Sequence, residues 1–272
     1  MSIDVYNKLI RKRNLKLIYI VASIILTYWA SWLPDFENVI GIDGTSISSV
    51  AAFGPLNGML LGPYWGATVS FISILGHTIT GDLHLTSDYF KLMTPLFVMI
   101  SSFVAGLIIN KKVTKALLIY SSLIVSWYFF DTGREAYLQP WFHILVLVAF
   151  LIFHNIFKNM LLNVSVYTFI SLFLTSLIGI LTDHMAGNIT ALIIYDIPAS
   201  LFESVLLIYP IERAILALAA SFIMFMLIVT IQLSLINSDI IEDDIESAKI
   251  ESILGYVKKD VKKVLEQEKS RK

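Results

Sequence analysis

Glu203 and Arg213 are the residues in this sequence best suited to hold a charged solute. Glu203 lies in PASLFESVLLIYP, five residues after Pro198 and among apolar side chains, and Arg213 leads into the last apolar run. A carboxylate and a guanidinium near one segment bind a zwitterionic or carboxylated solute through charge-assisted hydrogen bonds. The same residues also read as a local Glu212–Arg213 charge pair with Glu203 facing water. Other ionisable groups collect near the ends of apolar runs: His77 in SFISILGHT, then Asp82, His84 and Asp88, and later Asp183 with His184. Such groups are expensive within an apolar layer and often mark function there, or they simply reach interfacial water. Asn57 sits inside an apolar stretch, where an unpaired amide costs on the order of 1–3 kcal/mol, so a neighbouring helix or a ligand must partner it. Trp65 next to Tyr64 stacks on a planar ligand or anchors an interface. The candidate substrate-binding set is therefore Asn57, Tyr64, Trp65, His77, His184, Glu203 and Arg213.

Catalytic patterns are missing. His77 and His84 are seven apart and His143 and His154 eleven apart, and neither spacing makes a zinc-protease helix. No Walker loop and no G-x-S-x-G occurs. With no cysteine, disulfides, thiol catalysis and cysteine metal sites are excluded. The expectation is a chain with no catalytic residue, cofactor or metal of its own. An intramembrane enzyme using His77, Asp82 and His84 is the weakest of three readings.

The elements that must position these groups are membrane helices. The 272 residues are 57% hydrophobic and only 15% charged, with net charge −1, against about 25% charged in ordinary soluble domains. No basic field points to nucleic acid. Apolar runs recur at 15–33, 47–61, 64–80, 92–110, 116–130, 141–157, 161–181 and 214–236, with a further stretch at 189–209 broken by Asp196, Pro198 and Glu203. The run 47–61 covers only about 22 Å as a helix, which implies a short, tilted or re-entrant element. The first run ends in Tyr28, Trp29 and Trp32, as an interfacial anchor does and a cleaved signal does not.

Glycines at positions 54, 58, 62 and 66 stand four apart in GPLNGMLLGPYWGA. That spacing clears one helix face for close backbone approach, and Pro63 after Gly62 interrupts a helix. Gly54, Gly58, Gly62 and Gly66 are thus a packing face at the tight, broken centre of a bundle, whether or not a ligand is held there.

If the N-terminus is cytoplasmic and each of the eight runs crosses once, 17 of the 20 Lys and Arg residues fall on the cytoplasmic side, and Lys91, Arg134 and Arg213 fall outside. The positive-inside rule is then obeyed. The layout requires 189–209 to stay on the outer side as a short or re-entrant helix. The expected organisation is a basic cytoplasmic N-terminus over 1–14, a transmembrane helical domain over 15–236, and a charged cytoplasmic C-terminal helix over 237–272.

The stretch FGPLNGMLLGPYWGATVSFISILG resembles the substrate-binding S component of energy-coupling factor (ECF) transporters, in which a G-P-x-x-G-like turn joins early membrane helices. A weaker likeness continues in IPASLFESVLLIYPIERAILALAA. The resemblance implies an all-α, multi-pass compact helical bundle, here of six to eight spans with a Gly-Pro-broken helix pair. It further implies capture of a vitamin-like micronutrient from the outer side in the cell membrane, with a separate transmembrane coupling subunit and cytoplasmic ATPases as partners. The family's first helix often carries an Ala-x-x-x-Ala face for the coupling subunit. Here Ser23, Thr27 and Ser31 hold that four-residue spacing instead. The competing reading is a structural or assembly membrane protein that packs the glycine face against a partner.

Overall fold

The computed structural model describes residues 13–33, 36–37, 46–47, 49–81, 89–160 and 165–236. Residues 1–12, the polar loop positions Asp82, His84 and Asp88, and the tail 237–272 lie outside the described residues.

Ten α-helices account for nearly all of the described chain. They are α1 (Arg13–Ala30), α2 (Phe53–Leu61), α3 (Pro63–Gly81), α4 (Tyr89–Ile109), α5 (Val113–Trp127), α6 (Asp131–Glu135), α7 (Trp141–Met160), α8 (Val166–Ile194), α9 (Ala199–Ser204) and α10 (Ile208–Ile236). A two-residue antiparallel bridge, β1 (Phe36–Glu37) with β2 (Ser46–Ile47), and a 3-10 turn over Ser49–Ala52 precede α2. By internal contacts the chain divides into Met1–Leu227 and Ile228–Lys272. The first unit carries the bundle, and of the second the structure describes the helical residues 228–236.

Among the described residues, three helices are long and apolar enough to cross a membrane: Tyr89–Ile109, Val166–Ile194 and, within α10, Ile208–Ile231. Four shorter apolar helical stretches accompany them, at Leu17–Ala30, Val50–Leu61, Val113–Trp127 and Trp141–Ile152. The chain is therefore all-helical in character and consistent with a membrane protein. Its outer surface agrees with this, since α1 turns Leu17, Ile18, Val21, Ile25, Leu26 and Trp29 outward. Such a continuous apolar face would be unfavourable in water.

One span boundary differs from the sequence expectation. Within the run 161–181 a helix starts after Ser165 and continues through Asp183 and His184 to Ile194. Ser165 and Thr168 form a capping box at its start, with the Ser165 backbone N–H donating to Thr168 Oγ1 at 3.1 Å. Nothing in residues 182–194 stops the backbone hydrogen bonding, and the helix ends at Tyr195, ahead of Asp196 and Pro198. The stretch expected to form one outer helix over 189–209 is thus split among the end of α8, the short α9 and the start of α10.

The Gly-Pro break is present at the expected position. Gly62 adopts φ +81°, where an L side chain is strained, and Pro63 opens α3, where its missing N–H is no loss. The two helices then continue almost without a gap, because Gly62 N–H donates to Gly58 O and Gly66 N–H to Gly62 O, both at 2.9 Å. Helix α4 is the hub and packs most extensively on α3, α8 and α2. The glycines permit this: a Cβ on Gly58 would lie 2.0 Å from Ser102 O, one on Gly106 2.5 Å from Pro63 N, and one on Gly66 2.6 Å from Asn57 O. The glycine face is therefore closed within the chain itself, at Gly58 and Gly66 against backbone and at Gly54 and Gly62 against the side chains of Ser101 and Asn110.

Asn57 ties this centre together. It is 2% exposed, and its Nδ2 donates to Thr27 Oγ1 at 2.9 Å and to Ser70 Oγ at 3.0 Å. Ser73 Oγ donates to Ile24 O at 3.2 Å on the same contact between α1 and α3. Asn57→Ala removes both amide bonds and leaves a void. The expected cost is about 1–3 kcal/mol, read as a lower melting temperature of the detergent-solubilised protein. An unchanged melting temperature would mean that the amide does not hold the three helices.

Candidate functional site

The most unusual chemistry of the chain lies where α7, α8 and α10 meet. The loop before α7 places Gln139 four residues ahead of His143, both buried. Trp127 anchors that loop. Its Nε1 donates to Ala136 O at 3.3 Å, and its indole meets Phe202 of α9 edge-on at 4.9 Å. Tyr209, at the start of α10, holds the first turn of α7 through its hydroxyl. It donates to Gln139 O at 2.6 Å and accepts from the Phe142 N–H at 3.3 Å. The second bond supplies an acceptor to one of the N–H groups that a helix start leaves free. Trp141 Nε1 donates to Leu206 O at 3.0 Å, adding a second link between these segments.

Above this scaffold four rings lie nearly parallel. His143 and His184 stack with centroids 5.3 Å apart at 13°, His184 and Tyr209 at 4.8 Å and 27°, and Tyr120 and His143 at 6.2 Å and 29°. His184 Nδ1 and His143 Nε2 are 3.4 Å apart, and Asn188 Nδ2 lies 3.5 Å from His184 Nε2. Asn188 is four residues after His184 on α8, so the two share a helix face.

Charged groups border the rings. Arg213 exerts its field on Asp183, Glu212, His143 and His184, so all five share one locality. The Arg213 side chain is partly buried, and its Nε is enclosed with no hydrogen-bond partner among the described residues. None of its nitrogens lies within the 4.0 Å of a described carboxylate oxygen that defines an ion pair. Gln139 is 1% exposed and its Oε1 likewise has no partner. An enclosed donor and an enclosed acceptor, each unmatched, cost on the order of 1–3 kcal/mol apiece. A protein retains such groups where something else satisfies them. Among the described residues, no group of three or more His, Asp or Glu side chains is arranged to hold a metal ion.

Two of the residues singled out from sequence, His184 and Arg213, come together here. The contacts described for the other five lead elsewhere. Asn57 is engaged by Thr27 and Ser70. Tyr64 is 66% exposed, meets Phe103 edge-on at 5.8 Å and has Lys112 Nζ 5.9 Å from its ring centre. Trp65 is exposed on the same helix. His77 packs edge-on against Trp32 at 4.8 Å, beside Tyr28. Glu203 is exposed on α9. Ser23 and Thr27, read as part of a coupling face, are buried at 5% and 0%. That face of α1 points inward because its hydroxyls and backbone partner Asn57 and Ser73. Ser31, the third of the set, lies just past the end of α1 and donates to Thr27 O.

Comparison with known proteins adds one relative. No family model matches the chain. The chain is similar to uncharacterized protein MJ0923 of Methanocaldococcus jannaschii, 22% identical over 224 residues, covering 79% of this chain and 71% of that protein. No solved structure matches.

Sequence reasoning missed Gln139 and Tyr209, noted His143 only for its spacing from His154, and read Asp183 as the end of an apolar run and Glu212 as a local pair with Arg213. The local signals were present, as His184 with Asn188 and Tyr209 with Arg213 at four-residue helical spacing. They stay hidden while the seventh apolar run is ended at 181 and the stretch 189–209 is read apart from the last run at 214.

Proposed function

We propose that this chain is a membrane-embedded substrate-capture subunit for uptake of a vitamin-like micronutrient, energised by separate coupling and ATPase subunits, as in ECF transporters. The observation that carries the reading is Arg213. It is a guanidinium held among apolar helices with an enclosed, unpartnered Nε, beside two carboxylates and a stack of aromatic rings. Ionisable groups within membrane helices are costly and mark substrate or ion sites. A few convergent polar groups in a largely apolar setting are what a small-molecule site requires. In this reading the site is α7, α8 and α10, and the Gly-Pro centre is the rigid support beside it.

In this reading the chain sits in the cell membrane with both termini cytoplasmic, which the charge distribution along the sequence supports. The assembly reading is less well supported. The glycine face it would offer to a partner is occupied by Ser102, Gly106 and Asn57 of the same chain.

A mild-detergent pull-down from native membranes, with mass spectrometry of retained proteins and small molecules, tests the proposal. The expected result is one stoichiometric metabolite, or a membrane coupling subunit with ATPases. Recovery of structural membrane proteins with an empty small-molecule fraction would replace it with the assembly role.

A further inference from the structure

We infer that the corner formed by the start of α3 and the α4–α5 turn binds the headgroup of an anionic phospholipid, with Lys112 and Lys115 on its phosphate and Tyr64 and Trp65 beside its upper acyl chains; this stands apart from the capture reading above. The turn itself is the first observation. Lys111 N–H donates to Ile108 O at 3.0 Å and Lys112 N–H to Leu107 O at 2.9 Å, which is a Schellman ending of α4. The residue that turns back is Lys111 at φ +62°, the one non-glycine residue with positive φ among the described residues. Glycine is the ordinary occupant there, because a Cβ is strained in that region. Strain held at a charged residue is a pointer to function.

The turn brings Lys112 to α3. Its Nζ lies 5.9 Å from the centre of the Tyr64 ring, within cation–π reach. Asn110 approaches the same place, since a Cβ on Gly62 would lie 3.2 Å from its Nδ2. Lys115 follows Lys112 by about one helical turn, and its N–H donates to Lys112 O at 3.1 Å. Lys111, Lys112, Lys115, Tyr64 and Trp65 are all exposed. Helix α1 runs parallel to α3, with Ser73 Oγ donating to Ile24 O at 3.2 Å and Tyr28 Oη 2.9 Å from Thr80 Oγ1. Its first turn, which carries Arg13 and Lys16, therefore begins at this end too. Helices α1 to α5 contain no Asp or Glu. Their charge at this end is of one sign and draws an anion.

The surroundings select a lipid over an acidic protein. Trp65, Ile72 and Ile79 are exposed at seven-residue intervals along α3. Leu118 and Val125 are exposed seven apart on α5, with Lys115 about one turn before Leu118. Seven residues are about two helical turns, so each set lines one side of its helix. These apolar stripes suit lipid, and each ends at the corner. Cationic and aromatic side chains at the end of such a stripe stand at headgroup depth. A Lys ammonium meets phosphate there as a point charge, and basic pockets between membrane helices recognise anionic headgroups in this way. A protein approaching from water would meet the Lys residues and leave the apolar stripe behind Trp65 uncovered.

The test is tryptophan fluorescence of the full chain in nanodiscs of phosphatidylcholine with a minority of phosphatidylglycerol, the latter brominated on its upper acyl chain as a contact quencher. The difference between the wild-type chain and Trp65→Phe isolates quenching at Trp65. The same difference with Trp32→Phe isolates Trp32, which lies against His77 at the far end of α3. Phosphatidylglycerol around Trp65 is expected to exceed its bulk fraction about threefold or more, and around Trp32 to match it. Lys112→Gln with Lys115→Gln should return Trp65 to the bulk fraction and leave Trp32 unchanged. Raised salt should do the same in the wild-type chain, because exposed charges are screened, and it decides the matter if the double variant does not fold. A wild-type Trp65 that sees only the bulk fraction overturns the inference. So does an enrichment that survives in the folded double variant or at raised salt, or one that is equal at Trp32. If Trp65 stays at the bulk value and an acidic protein is held through Lys112 instead, the corner is a protein dock and the lipid inference fails.

Discussion

Gly58→Leu is expected to yield no monodisperse folded protein. The reason is geometric. A Cβ at position 58 would lie 2.0 Å from Ser102 O, 2.8 Å from Ser102 C and 2.9 Å from Gly106 N. All three are backbone atoms of α4, so no side chain can rotate away. The helices themselves would have to separate, and α4 is the element on which α2, α3 and α8 all pack. Overpacking of an ordinary core costs about 1–3 kcal/mol. Here the displaced atoms are main chain, and even Gly58→Ala is expected to cost about 3 kcal/mol or more. The contrast is Gly76→Ala in α3. Its nearest neighbour would be Tyr28 Cδ2 at 3.7 Å, an ordinary contact. A helical glycine replaced by alanine gains up to about 1 kcal/mol in propensity, so Gly76→Ala should leave the melting temperature unchanged or raise it. Melting curves in detergent, with size-exclusion profiles, decide both cases. A well-folded Gly58→Leu protein would show that α2 and α4 do not pack backbone to backbone.

Loss of Arg213 is the second large effect, and it falls on binding. In Arg213→Gln the affinity for the captured solute should fall by a hundredfold or more, in keeping with the 2–5 kcal/mol seen when one partner of a buried charge pair is truncated. Stability should fall less, because Arg213 makes no direct ion pair within the fold. What stability is lost comes from removing its field from Asp183 and Glu212. Adding Asp183→Asn to the same chain relieves that imbalance, so the double variant should recover the melting temperature without recovering binding. A single variant that kept full affinity would remove Arg213 from the site. A double variant that recovered affinity together with stability would show that Arg213 acts only on the fold.

The sequence by itself determined the class of this protein and its most constrained turn. Low charge and long apolar runs dictate helices, since in lipid each backbone polar group must be satisfied within its own segment. The glycine spacing with Pro63 fixed both the break and the close approach, because absence of a side chain and a locked φ act locally and need no knowledge of the partner. Arg213 and His184 also stood out from sequence, as ionisable groups near apolar runs.

The tertiary structure alone decided which side chains meet. From sequence Asn57 is partnered by a neighbouring helix, the more common case, or by a ligand. Thr27 and Ser70, thirty and thirteen residues away, settle it as a tie between helices. Ser23 and Thr27 read as an outward face, yet the hydrogen bonds of that face turn it inward. His143 carried no signal, because its partners, His184 and Tyr209, are 41 and 66 residues away and reach it only when three helices pack. Small-residue spacing reports how near another backbone can come, but not which one. Likewise a charged residue reports that it needs a partner, and only the packing of α7, α8 and α10 names the groups around it.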